Sequence, residues 1–291
     1  MTHAHPHSPG HGTSHRPDDA AGSDDQAEIL DLDAEVLGEH TASITAWLPV
    51  GTPPQEIVDL GCGTGTGTFA LLARFPEARV TAVDSSAEHL ERLREKAAAE
   101  GVQDRVRTVR ADLDAADWPD LGTPGLVWAS ASMHHMADPG RTLRQVHEVL
   151  APGGLFAVVE LAGFPRFLPE HAPEERPGLE ERCHAATRRI HEEHVPHRGA
   201  DWGPMLTGAG FTVEDRRTVE VRIEGSPGDT VPRYALSVLQ RIRGAAAESL
   251  APEDLAALDR LLDADGPHSI LRRTDLGVRT ERMVWAARRT G

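Results

Sequence analysis

Cysteine is scarce in this chain, and the long apolar runs of membrane-spanning segments are missing. Cys62 and Cys183 are the only two cysteines among 291 residues, which is too few for a disulfide framework and typical of a reducing compartment. No apolar run approaches the roughly 20 residues needed to cross a bilayer, and the N-terminus lacks the basic start and apolar stretch of a secretory signal. We therefore expect a cytoplasmic protein without a membrane partner.

Positive charge and aromatic side chains are also in short supply. The sequence holds 30 basic and 46 acidic residues, a formal net charge of -16, and 4% aromatic residues. Nucleic-acid binding depends on neutralising phosphates and often on stacking aromatic rings against bases, and no cluster of basic residues interleaved with aromatics is found. These absences argue against a nucleic-acid partner.

The residues that are present divide the chain into a tail, a short helical segment and one long domain. Residues 1–25 are rich in His, Pro, Gly and Ser and have no apolar periodicity, which predicts disorder. Residues 26–52 carry apolar side chains near helical spacing and predict one or two accessory helices. Residues 53–291 are expected to form one α/β domain with insertions at about 163–200 and 225–277.

Short apolar runs alternate with helical stretches throughout the long domain, which is typical of a parallel sheet with crossover helices. The predicted strands are Glu56–Leu60, Arg79–Asp84, Arg105–Ala111, Leu126–Ala131, Leu155–Leu161, Phe211–Ile223 and Val278–Arg288. The predicted helices are Gly67–Arg74, Ala87–Glu100, Arg141–Leu150, Glu180–Glu193, Trp202–Thr207, Val231–Ala247 and Pro252–Asp263. Ser85 and Glu88 have the spacing of a capping box at the start of the second helix.

A glycine-rich turn, Asp59-Leu60-Gly61-Cys62-Gly63-Thr64-Gly65, lies between the first predicted strand and the first predicted helix. Glycines allow positive φ and a close approach of a ligand to the backbone, and the helix N-terminus offers unpaired N–H groups. Asp84 ends the next strand about 20 residues later, where a carboxylate can accept hydrogen bonds from two ribose hydroxyls. The pattern therefore predicts a ribose-containing cofactor.

With these residues the chain resembles the class I S-adenosylmethionine-dependent methyltransferases, in particular the small-molecule and ubiquinone/menaquinone methyltransferase-like members. The resemblance covers about residues 56–161. The matching segments, in the family's order, are Asp59–Gly65, Val83–Ser86, Arg110–Leu113, Ser132–Pro139 and Leu150–Gly154. The resemblance implies a Rossmann-like, doubly wound α/β sheet of seven strands, with strand seven antiparallel and accessory helices around the sheet.

The resemblance also implies which residues hold S-adenosylmethionine and its product S-adenosylhomocysteine. Gly61, Gly63 and Gly65 are expected along the methionine part, and Asp84 on the ribose. Asp112 is expected to accept from the adenine amino group. The full expected cofactor-binding set is Asp59, Gly61, Cys62, Gly63, Gly65, Asp84, Ser85, Ala111, Asp112, Leu113, Ser130, Ala131 and His134.

Methyl transfer from a sulfonium is an in-line displacement, so alignment and desolvation can supply most of the catalysis. A general base is optional. The candidates are His135, which follows the fourth predicted strand, and His191 in the first insertion. The alternative is that the histidines after the fourth strand pack against the cofactor or orient it.

No metal cofactor is expected, although the first insertion contains histidines at helical spacing. For these residues three interpretations stay open: a solvated helix, a contact with substrate, or a metal site. The same question applies to the histidines of the tail. The insertion histidines are His184, His191, His194 and His197.

Three functions stay open at this point. The first is methyl transfer to the oxygen, nitrogen or carbon of a small molecule. The second is a cofactor-binding protein with a regulatory role or a different reaction, and the third is methylation of a protein or RNA. We favour the first, because negative charge disfavours RNA and the accessory segments suggest an enclosed pocket. No pattern indicates the oligomeric state.

Overall fold

The computed structural model describes residues 17–195, 197–225 and 228–290, with the side chains of 17–25 and 189–194 excluded from description. Its centre is a seven-stranded sheet in the order β3-β2-β1-β4-β5-β7-β6. The strands are β1 Glu56–Leu60, β2 Arg79–Asp84, β3 Val106–Arg110, β4 Leu126–Ser130, β5 Leu155–Leu161, β6 Phe211–Glu224 and β7 Gly277–Arg289. Strands β1 to β5 run parallel to one another, and β7 runs antiparallel to both β5 and β6. The predicted fold class is confirmed.

The central strands are apolar because both faces of the sheet are covered. In β5 every residue from Leu155 to Glu160 is buried, and in β4 the first four residues are buried. A strand with only one covered face would show alternating burial instead. The long apolar runs therefore follow from helices packed on both sides.

Eight α-helices surround the sheet within the described ranges. They are α1 Pro17–Trp47, α2 Thr66–Arg74, α3 Ala87–Ala99, α4 Pro139–Val149, α5 Leu179–His194, α6 Trp202–Gly208, α7 Thr230–Ala246 and α8 Pro252–Leu262. One apolar layer joins the sheet to α1, α2, α5, α7 and α8. The opposite layer joins it to α4 and α6. No helix in these ranges is both long enough and apolar enough to cross a membrane.

Two predicted boundaries differ from the structure for local reasons. The N-cap of α3 is Ser86, whose side chain accepts a hydrogen bond from the His89 N–H, so the predicted capping role of Ser85 is wrong. The backbone of residues 17–25 is helical and continues into a single helix α1, in contrast to the predicted disorder. Residues 1–16, with their histidines, lie outside the described residues.

The two insertions are tied to each other by a buried carboxylate. Asp254 in α8 is 3% exposed and accepts hydrogen bonds from both Arg176 and Arg182 at 2.6–2.9 Å. Arg182 lies in α5, so the cluster fixes α5 against α8. A buried carboxylate needs such compensation because desolvation of an unpaired charge is costly. The insertions thereby form a packed cover beside β5, β7 and β6.

Candidate functional site

The glycine turn between β1 and α2 has a backbone that only glycine adopts easily. Gly61, Gly63 and Gly65 have φ angles of +66°, +53° and +102°. A Cβ on Gly61 would lie 2.4 Å from the Cβ of Ser132, and one on Gly65 would lie 2.6 Å from the ring of Phe69. Both the positive φ and the close packing exclude larger residues. The turn is therefore held at the carboxyl edge of the sheet, as predicted.

Asp84, at the end of β2, faces this turn. Its carboxylate accepts hydrogen bonds from the N–H groups of Gly63 (2.9 Å) and Ser86 (2.8 Å), and His89 Nδ1 lies 3.4 Å away. Burial alone would favour the neutral acid, but the nearby His89 ring and the hydrogen bonds from the two amides lower the pKa of Asp84 below its usual value. A carboxylate has about four acceptor positions. The ionised side chain thus keeps acceptors for two ribose hydroxyls.

Asp59 in β1 is the buried acid beneath the turn. It is 1% exposed and accepts a hydrogen bond from Thr68 Oγ1 at 2.7 Å. Burial raises its pKa to about 7, and the nearby Asp84 charge adds to the increase. A cationic group at the methionine end of a cofactor would favour the ionised form of this side chain.

Two further side chains of the turn are buried. Burial raises the pKa of the Cys62 thiol well above its usual value, so Cys62 is a packed side chain and not a thiolate nucleophile. Thr64 Oγ1 is buried without a hydrogen-bond partner among the described residues. An unpaired buried hydroxyl is costly, and a polar ligand on the turn would satisfy it.

The segment after β3 lies next to Asp84. The Ala111 N–H donates to the Asp84 carbonyl oxygen at 3.0 Å, and Leu113 is 6% exposed. The exposed side chain of Asp112 accepts from the Asp114 N–H at 2.9 Å through one of its oxygens. The other oxygen is available to an amino group. Ser85, between Asp84 and the cap of α3, is exposed.

The segment after β4 carries a strained residue. Ala131 has a φ of +51°, a conformation that costs a non-glycine residue about 1 kcal/mol or more. Its N–H donates to the Val159 carbonyl oxygen, and the buried Ser132 hydroxyl donates to the Leu60 carbonyl oxygen at 2.8 Å. Because β1 and β4 are neighbours, these bonds hold the segment that begins at Ser130 against the glycine turn. Strain of this kind is common where a binding site fixes the backbone.

His134 and His135 come directly after this segment, and one side chain is buried whereas the other is exposed. His134 is buried, and its Nδ1 lies 2.5 Å from Oε2 of the buried Glu160 in β5. His135 is exposed, with its ring centroid 4.2 Å from that of His134. Its ring is nevertheless partly shielded from water, and this partial loss of hydration, together with electrostatic interaction with His134, Arg198 and Arg241, lowers the pKa of His135 to about 4. His135 is therefore neutral at physiological pH.

A pocket of about 620 Å³ opens beyond β5, β7 and β6 at the same edge of the sheet. Its wall includes residues that follow β5, the end of β6 and the start of β7, together with residues of α5, Val195 and Arg198. Arg198 lines this pocket and also lies near enough to Glu160 and His135 for their charges to interact. The edge thus has two halves, the glycine turn with Asp84 and the pocket. Because β4 lies between β1 and β5, the segment with His134 and His135 lies between the two halves.

The insertion histidines divide between described and undescribed positions. His184 is 9% exposed and lines the pocket, and His197 packs edge-on near Trp202. The side chains of His191 and His194 lie outside the described residues, so the proposed base role of His191 stays a prediction. Among the side chains that are described, no group of three or more His, Cys, Asp or Glu residues could hold a metal ion.

Several residues of the edge were not predicted from the sequence. Glu160 carried a signal, as the lone acid in the apolar strand β5. Others carried none, because their placement depends on tertiary contacts: His89 beside Asp84, Ser132 against Gly61, and Arg198 at the pocket. The predicted cofactor residues of the β1, β2, β3 and β4 ends do lie along one edge, and they fit S-adenosylmethionine through the close-packed glycine turn, the Asp84 acceptors and the orphaned Thr64 hydroxyl.

Comparison with known proteins adds an independent line of argument. A family model described as a methyltransferase domain matches residues 57–154. The chain is 31% identical over 213 residues to the trans-aconitate 2-methyltransferase of Azoarcus sp. strain BH72, covering 72% of this chain and 79% of that protein. The trans-aconitate 2-methyltransferase of Acidovorax sp. strain JS42 is 37% identical over 122 residues, which is 41% of this chain and 44% of the relative.

The lengths of the matches differ between relatives. The chain spans less than half the length of several curated relatives, as with the Acidovorax protein. The solved structure of the YcgJ protein from Bacillus subtilis covers 87% of this chain and 99% of its own, with a TM-score of 0.53 at 18% identity, which shows a shared fold. The Azoarcus match extends beyond the glycine turn to most of both proteins. Taken with the sheet order and the family model, it shows that the chain belongs to the class I S-adenosylmethionine-dependent methyltransferases.

Proposed function

We propose that this protein transfers a methyl group from S-adenosylmethionine to a small-molecule acceptor. The observation that carries the proposal is the division of one sheet edge into two adjoining halves. The glycine turn with Asp84 fits the cofactor, and a separate pocket of about 620 Å³ lies beside it. Ligands of open α/β sheets bind at this carboxyl edge, so both partners of a transfer reaction would meet at His134 and His135.

On the cofactor half, the chain's own residues bind and orient. The ionised Asp84 would accept from the ribose hydroxyls, and Asp112 with the Leu113 N–H would face the adenine. Asp59 and the positive-φ glycines would lie at the methionine end, next to Ala131. S-adenosylmethionine supplies an activated methyl group on a sulfonium, so the remaining task of the protein is alignment and exclusion of water.

The acceptor half favours a small molecule. A pocket of about 620 Å³ falls within the roughly 300–1,000 Å³ of small-molecule sites. The trans-aconitate 2-methyltransferases that resemble this chain are named for a small-molecule substrate. The net charge of -16 further disfavours a nucleic-acid acceptor.

His135 is the candidate base for an acceptor that must lose a proton. It is exposed and near enough to Arg198 of the pocket for the two to interact, and it is neutral near pH 7, because its pKa is about 4. A base with so low a pKa gives little driving force for proton transfer near neutral pH. We therefore propose that His135 aligns the acceptor. We expect His135→Ala to lower turnover by less than about tenfold, whereas a base role would cost about a hundredfold or more.

The test is turnover with an isotopically labelled methyl donor. The protein is incubated with labelled S-adenosylmethionine and a deproteinised extract of small metabolites, and labelled products are resolved by mass spectrometry. Methyl transfer predicts release of S-adenosylhomocysteine and one labelled small molecule with the extract but not without it, and loss of both in Asp84→Ala. Tight cofactor binding without any labelled product would overturn the proposal and favour a regulatory role.

A further inference from the structure

The wall of the pocket is rich in arginine, although the chain as a whole is strongly acidic. Five arginines line it, against two carboxylates, Glu220 and Glu281. The arginines are Arg166, Arg188, Arg198, Arg222 and Arg279. Clusters of guanidinium groups are the usual means of recognising carboxylate or phosphate groups. An arginine that already pairs with a carboxylate of the protein binds a ligand less strongly, so the partners of each arginine must be considered.

Four of the five arginines lie within ion-pair distance of a carboxylate of the same chain. Glu181 forms ion pairs with Arg166 and, at 4.0 Å, with Arg188. The other two face nearby carboxylates, each at 3.9 Å: Arg222 faces Glu224, and Arg279 faces Glu180. These carboxylates compensate the four arginines only in part, because Glu181 is shared by two of them and burial raises the pKa of Glu180 to about 7.

Arg198 is the exception. Its guanidinium lies over the ring of Phe164, with Cζ 4.2 Å from the ring centroid. Its Nε and Nη1 are buried without a hydrogen-bond partner, and within the part of the chain that is described no carboxylate lies within ion-pair distance of it. Buried charged donors without acceptors are costly. The stacked guanidinium is thus held in place with two donors unsatisfied, and an anion bound at it would compensate the charge.

A second arginine strengthens the field at the same place. Arg241 in α7 is exposed on one side and forms no ion pair with a described carboxylate, and partial loss of hydration lowers its pKa. The charges of Arg198 and Arg241 act on each other and on His135. The third arginine nearby, Arg282, already pairs with Asp33 at 2.9 Å. Arg198 and Arg241, which pair with no described carboxylate, are therefore near enough to His135 for their charges to act on it. We place the acceptor atom there, beside the Arg198 wall of the pocket.

The acidic groups do not cancel this charge. Glu160, which attracts Arg198, is engaged with His134 at 2.5 Å. Glu220 and Glu281 oppose each other in the β6–β7 register, on the strand wall of the pocket. An acidic ligand would be repelled from that wall and attracted to Arg198.

We propose, building on the methyl transfer inferred above, that the acceptor is a carboxylate seated on the Arg198 guanidinium with Arg241 beside it, and that the product is a methyl ester. A carboxylate oxygen forms the new bond to the methyl carbon as the bond between that carbon and the sulfonium sulfur breaks. The products are the ester and S-adenosylhomocysteine. The carboxylate is already ionised at neutral pH, so no proton is released and no base is required.

The first test is the product. Labelled S-adenosylmethionine is supplied with a fixed panel of acids (benzoate, octanoate, succinate, glutarate, citrate and trans-aconitate) and with the amide of each. Transfer to a carboxylate predicts a labelled product from at least one acid and from no amide, and mild alkali must release the label as volatile methanol. An alkali-stable product would overturn the ester assignment but leave methyl transfer intact.

The second test assigns the carboxylate to Arg198 by substitution. Arg198→Gln is expected to lower kcat/KM for the active acid at least about 30-fold, and Arg198→Lys at least about fivefold, because lysine lacks the planar fork. Arg241→Gln is expected to lose about tenfold. The matched control is Arg243→Gln on the same helix α7, whose ion pair with Asp259 is exposed, and it should stay within twofold. Unchanged kcat/KM in Arg198→Gln would overturn the assignment.

A binding measurement covers the case in which folding or turnover fails. Calorimetry is done with each acid and its amide on protein saturated with S-adenosylhomocysteine, whose binding also reports that each variant is folded. We expect binding of at least one acid, none of its amide, and a loss of at least about 30-fold in Arg198→Gln. If no acid of the panel binds, the carboxylate inference fails; if acids bind but no methyl group is transferred to any acceptor, the proposed function fails instead.

Discussion

Gly61 shows how a single residue position fixes the cofactor half of the site. Its positive φ and its contact with the Ser132 side chain leave no room for a Cβ. Ser132 in turn hydrogen-bonds to the Leu60 carbonyl oxygen. A change at this position would therefore push apart two segments that must both contact the cofactor.

We expect Gly61→Ala to abolish measurable S-adenosylhomocysteine binding and to destabilise the fold by about 2–4 kcal/mol, the range for strain combined with overpacking. Gly101→Ala is the matched control, because Gly101 has a similar φ of +70° but open space around it. It should cost only about 1 kcal/mol and leave affinity unchanged. Calorimetry and urea unfolding measure the two effects. Equal losses of affinity in both variants would contradict this account of the turn.

The buried pair of His134 and Glu160 is a second residue-scale determinant. Removing the imidazole leaves a fully buried carboxyl with only the backbone N–H groups of His134 and Leu161 as donors among the described residues, which costs about 3 kcal/mol. His134→Ala should therefore unfold at clearly lower urea concentration than the wild type. Adding Glu160→Gln should restore part of the loss, because the amide carries no charge. A double mutant that is as unstable as the sum of the two single variants would show that the pair is not coupled.

At the scale of elements, helix α1 covers the cofactor turn. Leu30 approaches to 3.1 Å from where a Cβ on Gly63 would lie, and Asp31 pairs with Lys96 at 2.5 Å. Lys96 also donates to the Thr64 carbonyl oxygen at 3.2 Å. The helix thus places an apolar cover and a charged tie directly over the glycine turn.

Leu30→Ala is expected to weaken S-adenosylhomocysteine binding about threefold to tenfold, because it opens the cover over the turn to water. Val36→Ala, on the same helix but packed on the main core, should lower stability by about 1 kcal/mol without changing affinity. Comparing the two dissociation constants with the two melting temperatures tests the assignment. If Val36→Ala lost more affinity than Leu30→Ala, Leu30 would have no specific role as a cover of the glycine turn, and α1 would contribute only to stability.

The elements also show what the sequence could reveal. Strand bounds were predicted to within one or two residues, because buried strands such as β4 are continuous apolar runs between turn residues. The cap of α3 was placed one residue too early, since Ser85 and Ser86 are chemically equal and only their backbone positions distinguish them. Arg198 was not predicted, because its contact with Phe164 joins two irregular segments that no periodicity marks.

At the scale of the whole molecule, stability is coupled to a buried acid. Burial raises the pKa of Asp59 to about 7 in the folded protein, from an ordinary value of 3.8. Between these values the folded state binds more protons than the unfolded state, so this residue's contribution to stability falls as pH rises. The protein without cofactor should therefore gain stability relative to an Asp59→Asn variant when the pH is lowered from 8 to 5.

Urea unfolding of both proteins at pH 5, 6, 7 and 8 measures this contribution. The difference in unfolding free energy between wild type and Asp59→Asn should change by an amount of the order of 2 kcal/mol, with most of the change below pH 7. The two proteins differ only at residue 59, so the effects of all other titrating groups cancel in this difference. Parallel pH curves would show that the Asp59 carboxyl is not desolvated in the folded protein.

The most direct measurement of the central claim is isothermal titration calorimetry with S-adenosylmethionine and S-adenosylhomocysteine. The account predicts that both bind at a single site, and that Asp84→Ala weakens each at least about tenfold, since two charge-assisted hydrogen bonds to the ribose are lost. The unfolding curve of the variant serves to separate lost contacts from lost structure. Absence of binding by either compound up to several hundred micromolar, or equal affinity in wild type and Asp84→Ala, would contradict the account.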